Sequence, residues 1–135
     1  MKIILFGIPR TKKNSQQIIT HRSGRKFIIQ SKLYLQWEKD CLRQITGPLK
    51  VKIDYPVNLK VLIYKKDKRR SDLCNYLAAV QDMLVKAEVL LDDNWNIVAS
   101  VDGSRIFYDK ENPRCEIDIK SYPQTESCLT SQKSV

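Results

Sequence analysis

Between residues 57 and 64 the chain alternates Val57, Leu59, Val61 and Ile63 with Asn58, Lys60, Leu62 and Tyr64. That period of two predicts a strand buried on one face and partly on the other. A shorter stretch at 2–6 predicts a first strand, ended by Gly7 and Pro9. Residues 17–20 and 26–30 predict a hairpin around Ser23-Gly24, and 97–101 with 105–108 a second one around Asp102-Gly103-Ser104. A last strand is predicted at 115–120. In two places the period lengthens to that of a helix. One helix is predicted from an N-cap at Ser31 through Gln44, closed by Thr46-Gly47-Pro48. Leu35, Leu42 and Ile45 supply its apolar stripe, with Trp37 or Tyr34 at the edge. The other runs over 72–88. Its core face is Leu73, Leu77, Val80 and Leu84, and Asp72, Asn75, Ala79, Asp82 and Lys86 follow the opposite side, Ala79 leaving room between the polar groups. No repeat or second domain is visible. The expectation is one domain over residues 1–120 and a polar, disordered tail over 121–135.

Composition changes the picture mainly through charge. The 135 residues suffice for one modest core. They carry 24 Lys and Arg against 15 Asp and Glu, a formal net charge of +9 that favours nucleic acid or another polyanion as partner. Cys41, Cys74, Cys115 and Cys128 are scattered, without a C-x-x-C pair, which argues against zinc and for reduced thiols in the cytoplasm. The apolar start at 1–6 is too short for a secretory segment, and no apolar run approaches membrane-spanning length. His21, the single histidine, falls at the tip of the first hairpin, so histidine-dependent nucleases and a Ser-His-acid set are excluded. No Gly-rich phosphate loop of either common type is present.

Chemistry concentrates in Lys65-Lys66-Asp67-Lys68-Arg69-Arg70-Ser71-Asp72-Leu73-Cys74-Asn75 and in Asp92-Asp93-Asn94. Cations hold a polyanion, but acids among them repel its phosphates unless a divalent metal bridges the two. The conjunction points to a metal-dependent nuclease whose site is lined by Asp72, Asn75 and Asp82, with Asp92 and Asp93 arriving from the following turn. Each part also has a plain structural use. Asp72 or Ser71 can cap the helix, and Asp92-Asp93-Asn94 can be an ordinary turn.

The pattern R-R-S-D-L-x-N over 69–75, then Asp82-Met83-Leu84 and Val89-Leu90-Leu91-Asp92-Asp93-Asn94, resembles the RusA family of Holliday junction resolvases. Gly7-Ile8-Pro9 with Lys12-Lys13 resembles the family's opening loop. Asp102-Gly103-Ser104-Arg105 through Asp109, Asn112, Pro113 and Arg114 resembles its carboxy-terminal part. The resemblance implies an α+β fold, a mixed β-sheet with two main helices, assembled as a homodimer. It implies a Mg²⁺-dependent endonuclease (Mn²⁺ as substitute) that nicks opposing strands of four-way junction DNA in recombination and repair, often encoded by phages. Asp72 and Asp93 match the family's catalytic acids; Asn75, Asp82 and Asp92 match other recurring polar positions. The chain departs from better-known members at Cys74, where they carry a second acid, and at Ala78, where they carry a lysine. Lys86 or Lys68 are the neighbouring lysines available for that role.

On this reading Asp72, Asp93 and Asp92 hold the metal at the scissile phosphate. Arg10, Lys12 and Lys13, Arg22 and Arg25, and Lys66, Lys68, Arg69 and Arg70 contact DNA. Two other readings stand beside it. Glu116, Asp118 and Lys120 share one strand face, an acid-x-lysine element of the restriction type or a solvated edge. The chain is alternatively a junction-binding relative without catalysis, a reading that Cys74 and Ala78 support.

Overall fold

The computed structural model describes residues 1–12, 16–30 and 32–122, so that Lys13, Ser31 and the stretch 123–135 with Cys128 lie outside the described residues. In chain order the elements are β1 (Lys2–Phe6), β2 (Gln16–Thr20), β3 (Lys26–Gln30), α1 (Lys32–Gln44), β4 (Val57–Lys65), α2 (Leu73–Lys86), β5 (Val98–Ser100), β6 (Arg105–Tyr108) and β7 (Arg114–Ser121). The architecture is α+β, with a mixed sheet and two helices.

The alternating stretch becomes the central strand. Val57, Leu59, Val61 and Ile63 of β4 are each fully buried, and burying such a side chain stabilises by about 1.5–3 kcal/mol. Antiparallel to β4 lies β7, and β1 pairs antiparallel with β7 on its far side. The buried face continues through Ile3 and Leu5 of β1 and Cys115, Ile117 and Ile119 of β7. Against it pack the helices, α1 next to β1 and α2 next to β4. The first hairpin forms as expected but as a separate two-stranded sheet, β2 with β3, its turn closed by His21 N–H to Arg25 O at 2.6 Å.

The second hairpin does not form. β5 and β6 both pair in parallel with β4, β5 with Val57 and Asn58 and β6 with Leu62 through Lys65. They are two pieces of one broken edge strand. The intervening 101–104 segment bulges outward and side chains complete the ladder. The Asn58 carboxamide accepts from Asp102 N–H at 2.8 Å and Ser100 Oγ at 2.5 Å, and Ser104 Oγ accepts from Val61 N–H at 3.0 Å. Gly103 has φ +87°, which favours glycine, and a Cβ there would sit 3.2 Å from Lys60 Cδ. Asp-Gly-Ser therefore signals a sharp bend correctly but not a reversal.

Both helices bury faces displaced from those expected. In α1 the buried residues are Tyr34, Trp37, Glu38 and Cys41, continued by Ile45, while Leu35 is 47 % exposed and Leu42 only half-buried. The spacing 34, 37, 41, 45 is a true helical stripe in which aromatics fill the volume that leucines were expected to fill. In α2 the core face is broader, comprising Tyr76, Leu77, Ala79, Val80, Met83 and Leu84, with Leu73 half-buried. Ala79 is 1 % exposed, so it belongs to the core and is no spacer in a polar stripe. The helix ends at Lys86 rather than Glu88, which takes φ +63°. Val89 and Leu90 N–H then bond back to Leu84 O, and Leu90 bridges Ile53. At the sheet's far edge the Gln44 carboxamide pairs with both backbone groups of Phe6, each at 2.8 Å.

Candidate functional site

The alternation of β4 places residue 65 on its buried face, and the residue there is a lysine only 9 % exposed. A buried ammonium needs partners, or its charge is costly. Lys65 Nζ donates to Ser71 Oγ at 2.6 Å and to Arg69 O, with Asp67 Oδ1 at 3.8 Å. Asp67 Oδ1 in turn accepts from Arg69 N–H at 3.0 Å. That bond, together with the nearby cations, lowers the Asp67 carboxyl below its ordinary range. The strand end thus ties the 66–71 loop into one shape.

Against this loop lies the 8–11 segment that follows β1. Between them is a cavity of about 230 Å³, lined by Arg10, Lys66, Arg69, Arg70, Ser71 and Tyr76 among others. Arg10, Lys66, Arg69 and Arg70 make no ion pair among the described residues. Asp72 directly follows Ser71 of this lining. It occupies the N-cap position of α2, but its side chain makes no capping hydrogen bond. Its carboxylate is exposed, with Asn75 Nδ2 near Oδ2 at 3.4 Å. Asp72 is thus the N-cap by position, as the sequence allowed, without capping through its side chain, and Asn75 meets Asp72 as the helical spacing required.

The second acidic stretch is both a turn and an acid group. Asp92 Oδ1 accepts from Asp93 N–H at 2.7 Å, Asp92 Oδ2 from Asn94 Nδ2 at 3.1 Å, and Asn94 Oδ1 from Asn96 N–H at 3.0 Å. Asp93 is raised above the ordinary carboxyl range, by desolvation first, then by its hydrogen bond to Asp92 and the fields of Asp82 and Asp92. Asp82 itself is paired with Lys12 at 2.5 Å, both side chains about one-third exposed (35 % and 33 %). Lys12 also lies 5.8 Å from the Tyr34 ring.

The remaining candidates fall elsewhere. Lys86 is bound to the buried Glu38 at 2.9 Å, and Glu38 accepts from Tyr34 Oη at 2.9 Å. Burial, followed by that bond, pushes the Tyr34 hydroxyl well above its ordinary range. Lys68 sits over the Tyr108 ring at 5.0 Å. Neither lysine joins the acids, while Lys12, expected only as a DNA contact, does. Cys74 and Ala78 are both exposed on the first turns of α2. Arg22 and Arg25 are exposed at the tip of the β2–β3 hairpin. Glu116 and Asp118 lie on the sheet face turned away from the helices. Arg114 binds Glu116 at 2.7 Å, and Lys120 lies 3.7 Å from Asp118, so that alternation is an ion-paired surface. The sequence marks Lys65 only as the first of the basic run, one of the cations of 65–70 available to stabilise developing charge, and not as the buried tie of the loop; Glu38 it does not mark at all. A lysine continuing an apolar alternation was the available signal for that burial.

Carboxylates are hard oxygen donors suited to a divalent cation such as Mg²⁺. Desolvation first, and neighbouring negative charge after it, raise Asp93; a divalent cation relieves the second, and in chemistry the acids fit one. Among the described residues no three His, Cys, Asp or Glu side chains come close enough together to hold a metal by themselves. Water and substrate oxygen would complete the shell, as is usual for Mg²⁺.

A cationic cavity whose lining runs directly into an exposed acid, Asp72, on a small α+β frame suits a protein that acts on a polyanion. The family model described as Endodeoxyribonuclease RusA matches residues 7–120, and the chain belongs to that family. It is thus a nuclease of a family that resolves Holliday junctions and typically depends on a divalent metal. No curated protein matches the chain. No helix of the described residues is long and apolar enough to cross a membrane.

Proposed function

We propose that this chain is a homodimeric endodeoxyribonuclease that resolves four-way DNA junctions by paired nicks with Mg²⁺, in recombination and repair. One observation carries the reading: Asp72, an exposed carboxylate with no ion-pair partner among the described residues, directly follows Ser71 of a cavity in which Arg10, Lys66, Arg69 and Arg70 are likewise without one. Surface charges so placed ordinarily pair with each other, and their separation leaves both available to a phosphodiester and its metal. Asp72 and Asp93, with Asp92 next to Asp93 in the chain, would offer oxygen ligands to the metal, and because no three of these side chains come together on their own, water and phosphate oxygens would supply most of its shell. When bound, the metal lowers the pKa of the attacking water and offsets charge on the phosphoryl transition state. Asn75 orients Asp72, and Asp92 shapes the turn that presents Asp93. Asp82 keeps Lys12 beside them, an ammonium placed to steady developing negative charge. Arg10, Lys66, Lys68, Arg69 and Arg70 grip the backbone of the cleaved arm, and Arg22 and Arg25 reach further along it. A two-fold dimer matches the near two-fold symmetry of the junction and gives two nicks.

The second reading, a junction binder without catalysis, is favoured by the Lys12–Asp82 pair and by the neutral Cys74 and Ala78. A synthetic four-way junction with Mg²⁺ separates the two. The wild type is expected to yield paired nicks, and Asp72→Asn and Asp93→Asn each to lose about 10²-fold or more in rate while still binding. Binding by the wild type without nicking, in Mg²⁺ and in Mn²⁺, would leave only the second reading. Sedimentation of free protein tests the dimer.

A further inference from the structure

We infer that the cavity between the 8–11 segment and the 65–71 loop is a dedicated phosphate pocket, holding one phosphate group of a nucleic-acid strand apart from the acids that carry cleavage. The inference rests on the proposed action on DNA and assigns that action a particular subsite.

Size is the first argument. About 230 Å³ falls below the roughly 300–1,000 Å³ typical of pockets for whole small molecules. A single tetrahedral anion with part of its sugar suits it better. Charge is the second. Arg10 comes from one wall and Lys66, Arg69 and Arg70 from the other. Cations drawn together without a counter-ion repel one another, and an anion between them converts that repulsion into attraction. Two guanidinium groups on separate segments also offer paired N–H donors, the geometry that suits phosphate oxygens. Asp67, the one carboxylate of the lining, is balanced by a further lining cation, Lys65, at 3.8 Å, which leaves the field of the other four cations positive.

Preorganisation is the third. Lys65 fixes Arg69 O and Ser71 Oγ from below, so the loop keeps its shape before any ligand arrives. Ile8, Pro9 and the buried Tyr76 supply apolar wall, where charge-assisted hydrogen bonds are stronger than in open water. Because Ser71 lines the cavity and Asp72 is the next residue, a phosphate seated here sets the register of the strand against the acids.

The test measures binding by the full chain in EDTA, so that cleavage plays no part. The probes are inorganic phosphate, a hexathymidylate without terminal phosphate, and the same strand with a 5′-phosphate. Arg10→Ala and the more exposed Arg70→Ala are each expected to weaken strand binding about tenfold and to reduce its salt slope by about 1. Lys50→Ala, which removes an equal charge from the exposed surface after α1, is expected to change it less than twofold. Equal losses with both strands assign the pocket to a backbone diester. A gain from the 5′-phosphate that vanishes in Arg10→Ala, together with competition by inorganic phosphate, assigns it to a terminal monoester. Either result supports the pocket. Losses in both arginine variants no greater than in Lys50→Ala would overturn it. Junction nicking is scored separately: a wild type that fails to nick but shows the arginine-dependent binding would refute the enzyme and keep the pocket.

Discussion

Asp92 and Asp93 are neighbours with opposite energetic roles, and replacing each in turn should move stability in opposite directions. Asp92 holds its turn through Asp93 N–H and Asn94 Nδ2. Both bonds are exposed, so their loss in Asp92→Ala should cost about 1 kcal/mol net. Asp93 is instead raised by desolvation, by its contact with Asp92 and by Asp82, which together outweigh a backbone hydrogen bond that lowers it. Asparagine resembles its protonated form, keeping a donor for Asp92 while discarding the charge. The relief is discounted because Asp93 is exposed and screened, which leaves about 0.5 kcal/mol. Unfolding entropy of about 2.1 cal/mol/K per residue over 135 residues makes 1 kcal/mol worth about 3–4 °C. Thermal unfolding at pH 7 should therefore show Asp92→Ala about 3–4 °C below wild type and Asp93→Asn about 2 °C above it. The pH dependence has a definite sign. A carboxyl raised on folding contributes stability that is fully present below its unfolded pKa and lost as pH rises through the folded one. The advantage of Asp93→Asn should accordingly be greatest at neutral pH and shrink on acidification through the carboxylate range. An Asp93→Asn protein less stable than wild type, or an advantage that grows in acid, would refute this account of the acid group.

Three further outcomes are expected. Lys65→Met keeps the buried stem but loses the loop's tie; it should lower Tm by about 4–7 °C, from about 1–2 kcal/mol of lost charged hydrogen bonding, and weaken binding of the phosphate probes, both read on one purified protein. Arg114 holds Asp109 at 2.8 Å and lowers its carboxyl; that stability exists above the unfolded carboxyl pKa and is lost as pH falls through the folded one, so Arg114→Gln should flatten the acid limb of a Tm-against-pH curve. Cys74→Asp adds an oxygen donor on the exposed first turn beside Asp72 and should lower the Mg²⁺ needed for half-maximal nicking, by up to about tenfold; an unchanged Mg²⁺ curve would place residue 74 beyond the metal's reach.

What the chain reveals in advance depends on how local the deciding physics is. The alternation of 57–63 specified β4 because one residue's side is set by its neighbours. Continued by one step, it also marked Lys65, whose role is invisible only if a lysine is assumed to face water. The break between β5 and β6 was not legible as such. A bend at Asp-Gly-Ser looks the same whether the chain then returns on itself or resumes along β4, and Asn58, some forty residues earlier, decides between them. In α1 the leucines at 35 and 42 suggest one stripe and Tyr34, Trp37, Cys41 and Ile45 another, and only packing against the sheet selects the second. Asp72, Asn75 and Asp93 could be singled out because they lie in short motifs. The Lys12–Asp82 pair could not, because it joins residues seventy positions apart.

Both lateral edges of the large sheet are spoiled as templates for another strand. On the β4 side the edge is split into two short pieces around a bulge. On the β1 side the Gln44 carboxamide occupies the hydrogen-bonding groups of Phe6 as a foreign strand would. Exposed edges invite stacking of one sheet onto the next, and interruptions of this kind are how folded proteins prevent it. The proposed pairing of two copies would then avoid the edges of the large sheet and use side chains of a helix, a loop or a sheet face, or the separate β2–β3 hairpin.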